Sequence, residues 1–183
     1  MLLYVVAGCG VNLMNQLSLD LYQRLDFNLR LPYAGTPKLL VGQLVLHGSH
    51  GVVESWAATS GCMGYQFKGS QRLKGRGPLP SHQQIDRDGY TVTILPVNLM
   101  SLKGVEGNFY RIAPYEVRIN GVIRGDFGIH RDANVPGSAG CIVITNEGDW
   151  RRFEAMMLRV RAANIPTLPL KVNYLESVGS PST

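Results

Sequence analysis

The dipeptide Asn120-Gly121 stands between two runs with strand character, FYRIAPYEVRI and VIRGDFGI. This is the strongest short-range indication of a β-hairpin, because both central residues of such a turn need positive φ. Other runs of strand character are KLLVGQLVLHG, VVESWAAT, YTVTILPV, CIVI and PTLPLKVNYL, and GSHG predicts a turn between the first two. The 21 Gly and 10 Pro residues supply many turns. We therefore predict a mainly β fold.

Two segments have helical spacing. After Asn146, a candidate N-cap, the apolar residues Trp150, Phe153, Met157 and Val160 recur at intervals of three and four, which predicts an amphipathic helix in the C-terminal half. Residues 12–25 combine a four-residue leucine spacing with strand alternation. We interpret them as a helix followed by an extended segment.

A length of 183 residues fits about one domain. The segment PYAGTP at residues 32–37 interrupts the pattern and looks like a linker. We therefore divide the chain into an N-terminal extension (1–37), a main domain (38–175) and a tail (176–183).

The net charge of +5 is scattered, and no basic block or aromatic-basic pattern favours nucleic-acid binding. No stretch reaches the roughly 18 apolar residues of a membrane span. VAGC, ending at Cys9, resembles a lipoprotein cleavage box, but a short apolar run without preceding Lys or Arg is atypical of a signal peptide. A buried strand is the favoured interpretation there. We expect delivery by a phage, by lysis or by a secretion system.

The stretch HRDANVPGSAGC, from His130 to Cys141, carries the chemistry of interest. An imidazole can take the proton of a thiol, so Cys and His form a minimal acyl-transfer pair. Small residues before the cysteine let a substrate carbonyl reach backbone N–H donors. Alternatively, a cysteine at the head of a strand is a small buried apolar residue, and GSAG is an ordinary turn.

Three stretches together resemble the L,D-transpeptidase catalytic domain family: GIHRDANVPGSAGCIVI, LVLHGSHGVVESWAATSG and GRGPLPSHQQI. The third is similar to an element of the subgroup that includes secreted cell-wall effectors. The resemblance covers roughly residues 39–145.

This resemblance implies a β-sandwich-like fold, an active cysteine beneath a mobile flap, and peptidoglycan peptide stems as substrates. It makes Cys141 the nucleophile and His130 its base. The N–H groups of Gly140 and Cys141 become the oxyanion donors, next to Ala139, and Ser138 orders the loop. Cys9, Cys62 and Cys141 have no CxxC spacing, so we expect no metal site. We also expect no cofactor, and action at the cell envelope or in the periplasm.

Three positions and one spacing depart from the family pattern. His82 stands where the third element normally continues to a glycine, and the interval from His130 to Cys141 is shorter than usual. Ala139 stands where the family most often has His, and Val143 stands where it most often has an Arg that would bind a substrate carboxylate. Another cation must then serve, and we predict Arg131 first and Arg124 second.

Hydrolysis and transpeptidation use the same nucleophile, so the sequence predicts either a hydrolase or a transferase. A hydrolase would be a lytic enzyme such as an endolysin, a virion-borne protein or a toxin. The alternative from another class is a non-catalytic structural or wall-binding protein of a phage particle that retains the fold. An activated Cys141 thiolate would react preferentially with iodoacetamide at neutral pH, with Cys9 and Cys62 as internal controls.

Overall fold

The computed structural model describes residues 20–133 and 136–176. Within these ranges the chain forms eleven strands, one complete α-helix and a short 3-10 helix, and Asp20 and Leu21 are helical as well. The strands are β1 (Arg24–Leu31), β2 (Gly42–Gly48), β3 (Gly51–Cys62), β4 (Tyr90–Thr93), β5 (Val97–Asn98), β6 (Asn108–Ala113), β7 (Glu116–Ile119), β8 (Val122–Gly125), β9 (Gly128–Arg131), β10 (Gly137–Ile144) and β11 (Thr167–Glu176). The 3-10 helix is Ser70–Arg72, and the α-helix, α1, is Glu147–Ala162.

Nine strands form one sheet in the order β4-β11-β1-β2-β3-β10-β9-β6-β5. Because β4 at one edge also pairs with β6 near the other edge, the sheet closes on itself. The pairs β1–β11 and β9–β10 are parallel. The predicted mainly β class, with one helix in the C-terminal half, is confirmed.

The hairpin at Asn120-Gly121 is also confirmed. It joins β7 to β8 as a separate two-stranded sheet. Both turn residues have positive φ, 47° at Asn120 and 80° at Gly121, as the dipeptide predicted.

Strand β1 corrects two expectations about the N-terminal part of the chain. It pairs with β2 on one side and β11 on the other, and its residues Leu25, Phe27, Leu29 and Leu31 are buried in the core. Residues 24–31 are therefore central to the sheet, and the predicted domain boundary after residue 37 is wrong. The helix predicted over 12–25 is also wrong at its end, because strand pairing begins at Arg24. Residues 12–19 lie outside the described residues, as does Cys9.

Helix α1 begins and packs as predicted. The Asn146 side chain accepts a hydrogen bond from the Asp149 N–H at 2.8 Å, which caps the first turn. The predicted apolar face is buried against the inner face of the sheet, where Phe153 meets Trp56 and Tyr110 edge-to-face. The helix thus covers the inner face of the sheet, opposite to the face that carries Cys141.

Candidate active site

Cys141 lies in β10, between β3 and β9. Alternation along the strand turns Ile142 and Ile144 into the core, so Cys141 and Val143 point to the outer face. The half-buried Cys141 lines two pockets of about 280 and 520 Å³, and Asp126 and Phe127 line both as well. The thiol therefore stands where the two pockets meet.

The surroundings of this thiol keep it protonated. Its Sγ lies 3.7 Å from the Asp126 carbonyl oxygen, to which the S–H can donate. Burial raises the pKa of Cys141 to about 11 and outweighs the hydrogen bond from the Gly128 N–H and the charge of Arg124, both of which lower it. Near pH 7 the group is a neutral thiol.

His130 lies on the neighbouring strand, β9, in register with Val143. The side chain is 3% exposed, and its Nδ1 is 2.8 Å from the Arg131 carbonyl oxygen. Because a carbonyl only accepts, Nδ1 carries the hydrogen and Nε2 keeps its lone pair. Burial lowers the pKa of His130, so the ring is neutral and has the tautomer of a general base.

Cys141 and His130 face the same side of the sheet, but no hydrogen bond joins them among the interactions of the described residues. The β9–β10 register places Gly128 beside Cys141. The Phe109 ring lies over Gly128, where an added Cβ would come within 2.1 Å of Phe109 Cζ. The same ring stacks on His130 with centroids 5.9 Å apart. Phe109 therefore covers the surface next to both candidate catalytic groups.

Ser138 holds the first part of β10, directly before Cys141. Its hydroxyl donates to the Cys141 carbonyl oxygen at 2.5 Å and accepts from the Gly140 N–H at 3.2 Å and the Gly61 N–H at 3.4 Å. The Gly140 N–H is therefore already engaged, and this arrangement does not present it to a substrate oxyanion as we expected. Ala139 is exposed, and its carbonyl oxygen accepts from Arg124 Nη2 at 2.9 Å.

Arg124 does not meet the expectation that it binds a substrate carboxylate. Its side chain is 2% exposed, and the guanidinium donates to four backbone carbonyl oxygens. The acceptors are those of Gln71, Gly77, Pro78 and Ala139. Arg124 instead links the segment around residues 71–78 to the first part of β10, before Cys141.

Arg131, our first choice for the substrate carboxylate, points away from Cys141. Neighbouring residues of a strand face opposite sides, so the guanidinium is on the face opposite to His130. Its Nε donates to the Glu106 carbonyl oxygen at 3.2 Å, and its Nη1 is 3.9 Å from Glu147 Oε2. What Arg131 supplies to the site is its own carbonyl oxygen, which orients His130.

A cation that the sequence analysis did not select, Arg111 in β6, also lies near Cys141. It is in register with Gly128, so Arg111, Gly128 and Cys141 form a row across β6, β9 and β10 on the outer face. Arg111 lines the 520 Å³ pocket, is exposed, and forms no ion pair with any described residue. Lys74 lines the smaller pocket. The alternation in FYRIAP puts Arg111 on a solvent face, but only strand pairing shows which residue it lies beside.

In comparisons with known proteins, no family model, no curated protein and no solved structure matches this chain. The resemblance to L,D-transpeptidases therefore stays a prediction. In the ranges 20–133 and 136–176, no helix has the length and apolar character that a membrane crossing needs.

Proposed function

We propose that this chain is a cysteine acyl-transfer enzyme acting on peptidoglycan peptide stems, either as an L,D-carboxypeptidase or endopeptidase or as an L,D-transpeptidase. The observation that carries the proposal is the position of Cys141 where two pockets meet, on the same face as a neutral histidine with a fixed tautomer. Two pockets at one thiol suit a reaction with an acyl donor and a separate acceptor.

In the proposed mechanism, His130 Nε2 takes the thiol proton as the sulfur attacks the scissile carbonyl carbon. The Cys141 N–H remains the predicted oxyanion donor. Collapse of the tetrahedral intermediate breaks the C–N bond, and the imidazolium returns its proton to the leaving amine. Water or a stem amine then attacks the thioester, losing its proton to His130, which gives it to the departing sulfur. Because both groups are neutral at rest, proton transfer accompanies attack rather than preceding it.

Arg111 is the cation that we propose for the substrate carboxylate, in place of Arg131. A guanidinium that is not already paired can bind a carboxylate bidentately, and the rest of the larger pocket is mainly apolar. Arg111→Gln should raise KM about ten- to a hundredfold for stems with a free carboxylate and little for amidated stems. Arg131→Gln is the matched control and should leave that ratio unchanged. Equal effects of Arg111→Gln on both substrates would contradict the assignment.

One set of observations favours the second candidate, a non-catalytic wall-binding or structural module of a phage particle. The Cys141 pKa is raised to about 11, and the thiol makes no hydrogen bond to His130. Both features suit a buried cysteine that has no nucleophilic role.

Mass spectrometry of purified peptidoglycan after incubation with the protein separates these functions. Shortened or separated stems indicate a hydrolase, and new cross-links indicate a transferase. Cys141→Ala should abolish either product while the folded state persists, since Ala fits a half-buried small-residue position. His130→Ala should lower turnover by about 10²–10⁴-fold. An active Cys141→Ala protein would overturn the nucleophile, and an inactive wild-type protein would favour the second candidate.

A further inference from the structure

A third pocket, of about 450 Å³, lies away from Cys141, where the C-terminal ends of β1 and β11 meet the segment 68–84. Its described lining contains Asn28, Gln83, Gln84 and Asn173, together with Tyr33 and Lys68. No carboxylate side chain is among the described lining residues. None of these residues has a part in the mechanism proposed above.

The amides in this pocket retain unused hydrogen-bonding groups. Asn173 Nδ2 donates to Asn28 Oδ1 at 3.0 Å, which fixes both side chains and leaves the Asn28 NH₂ and the Asn173 carbonyl oxygen for a ligand. The exposed side chains of Gln83 and Gln84 make no hydrogen bond with any described residue. Together these four amides offer donors and acceptors, which suits hydroxyl and acetamido groups.

Tyr33 adds an aromatic surface to these amides. The residue is 63% exposed, and the Lys68 ammonium lies 5.4 Å from its ring centroid, which restrains the ring. An exposed aromatic ring beside neutral donor–acceptor groups can pack on the apolar C–H face of a sugar ring while the amides bind its polar substituents. A strongly anionic ligand would require more than Lys68, the single cation among the described lining residues.

The pocket is mechanically linked to the cysteine site. Gln71 and Ser81 line the third pocket, whereas Lys74 and Gly75, between them in sequence, line the smaller pocket at Cys141. Arg124 links this segment to the first part of β10 through hydrogen bonds to the Gln71 and Ala139 carbonyl oxygens. One ordered segment therefore forms a wall of both pockets.

We propose that this pocket is a saccharide-binding subsite for the glycan strand of peptidoglycan, whose sugars carry hydroxyl and N-acetyl groups. The choice of this glycan rests on the proposed function. A glycan held here would keep its attached peptide stems near Cys141 and would favour polymeric substrate over free stems.

The binding test uses the full chain carrying Cys141→Ala and soluble glycan strands from which the stems have been removed. Isothermal titration should detect binding, and Tyr33→Ala should weaken it about tenfold, as should the double substitution of Gln83 and Gln84 by Ala. Tyr115→Ala is the matched control, because Tyr115 is a similarly exposed tyrosine at the larger cysteine pocket, and it should bind the glycan as well as the parent does. Absent binding, or equal binding by the Tyr33→Ala protein, would overturn the subsite.

The kinetic test separates this proposal from the proposed function. With Cys141 restored, Tyr33→Ala should raise KM for intact peptidoglycan and leave kcat/KM for free soluble stems unchanged. Cleavage of stems without glycan binding would overturn the subsite and leave the proposed function standing. Glycan binding by a protein that is inactive on every stem would overturn the function and leave saccharide binding standing.

Discussion

The reactivity of Cys141 toward iodoacetamide should be governed by a thiol that is protonated at rest. Alkylation proceeds through the thiolate, so its rate follows the ionised fraction. With the pKa raised from 9.0 to about 11, Cys141 has a hundredth of the thiolate of an unperturbed cysteine at neutral pH. We expect alkylation about a hundredfold slower than that of an unperturbed thiol, rising about tenfold per pH unit up to pH ~10. This reverses the preferential labelling at neutral pH that the sequence suggested for an activated thiolate.

Peptide mass spectrometry after timed alkylation from about pH 6 to about pH 10 measures Cys141 separately from Cys62, whose pKa is also raised by burial. The wild-type protein and His130→Gln should give the same profile, because His130 does not hold a thiolate at rest. A plateau near neutral pH that disappears in His130→Gln would refute this reasoning, since it would indicate a resting thiolate–imidazolium pair.

Three further predictions concern the framework of the site. Arg124→Met should lower the free energy of unfolding, measured by urea denaturation, by about 3–5 kcal/mol. The reason is that four backbone carbonyls lose a buried charged donor. Arg118→Met, an exposed control in the same hairpin, should change the free energy of unfolding by less than about 0.5 kcal/mol. His130 has a folded pKa below its ordinary 6.5, so the stability from keeping it neutral is present above pH 6.5 and is lost as the pH falls through the lowered value. His130→Gln should therefore flatten the fall in melting temperature between about pH 7 and about pH 5, and an unchanged slope would contradict the burial argument. Gly140→Ala should destabilise the fold by about 2–5 kcal/mol, because the φ of residue 140 is 136° and the new Cβ would lie 2.4 Å from Arg124 Nη2. A variant that unfolds at the wild-type melting temperature would contradict this prediction.

The parts of the fold that the sequence predicted are those set by local chemistry. Asn120-Gly121 requires a particular turn wherever it lies, and Asn146 caps α1 through its own neighbours. Strand β1 was harder to predict, because its pattern fits two periods and its strand identity depends on partners far away in sequence. Its pairing with β11, from Leu25–Leu170 onward, joins opposite ends of the chain. Nothing near residue 25 indicates that pairing.

In the candidate site, too, local sequence predicts some features, whereas strand pairing decides the others. Cys141 and His130 face one side of the sheet because the β9–β10 register pairs His130 with Val143, two residues from Cys141. Proximity in sequence then misled us about Arg131, since alternation sends adjacent side chains to opposite faces. The charge of Arg124 likewise suggested a ligand-binding role, whereas burial commits its guanidinium to backbone carbonyls. A sequence gives charge and spacing, but strand register decides which charges a substrate can reach.

Gly128 explains how a cation from a different strand could serve the proposed reaction. It lies between Arg111 and Cys141 in the row across β6, β9 and β10, so these two residues are separated by two strand spacings, about 10 Å. Two extended peptide residues span about 7 Å, and the Arg111 side chain can cover the remainder. An extended stem lying across the strands could therefore place its scissile carbonyl at Cys141 and its carboxylate at Arg111, provided that the Phe109 ring moves off Gly128. Any side chain at residue 128 would occupy that path, so under the proposed function the missing Cβ of Gly128 gives the substrate room. Arg111 then binds the carboxylate that an arginine in place of Val143 would otherwise bind.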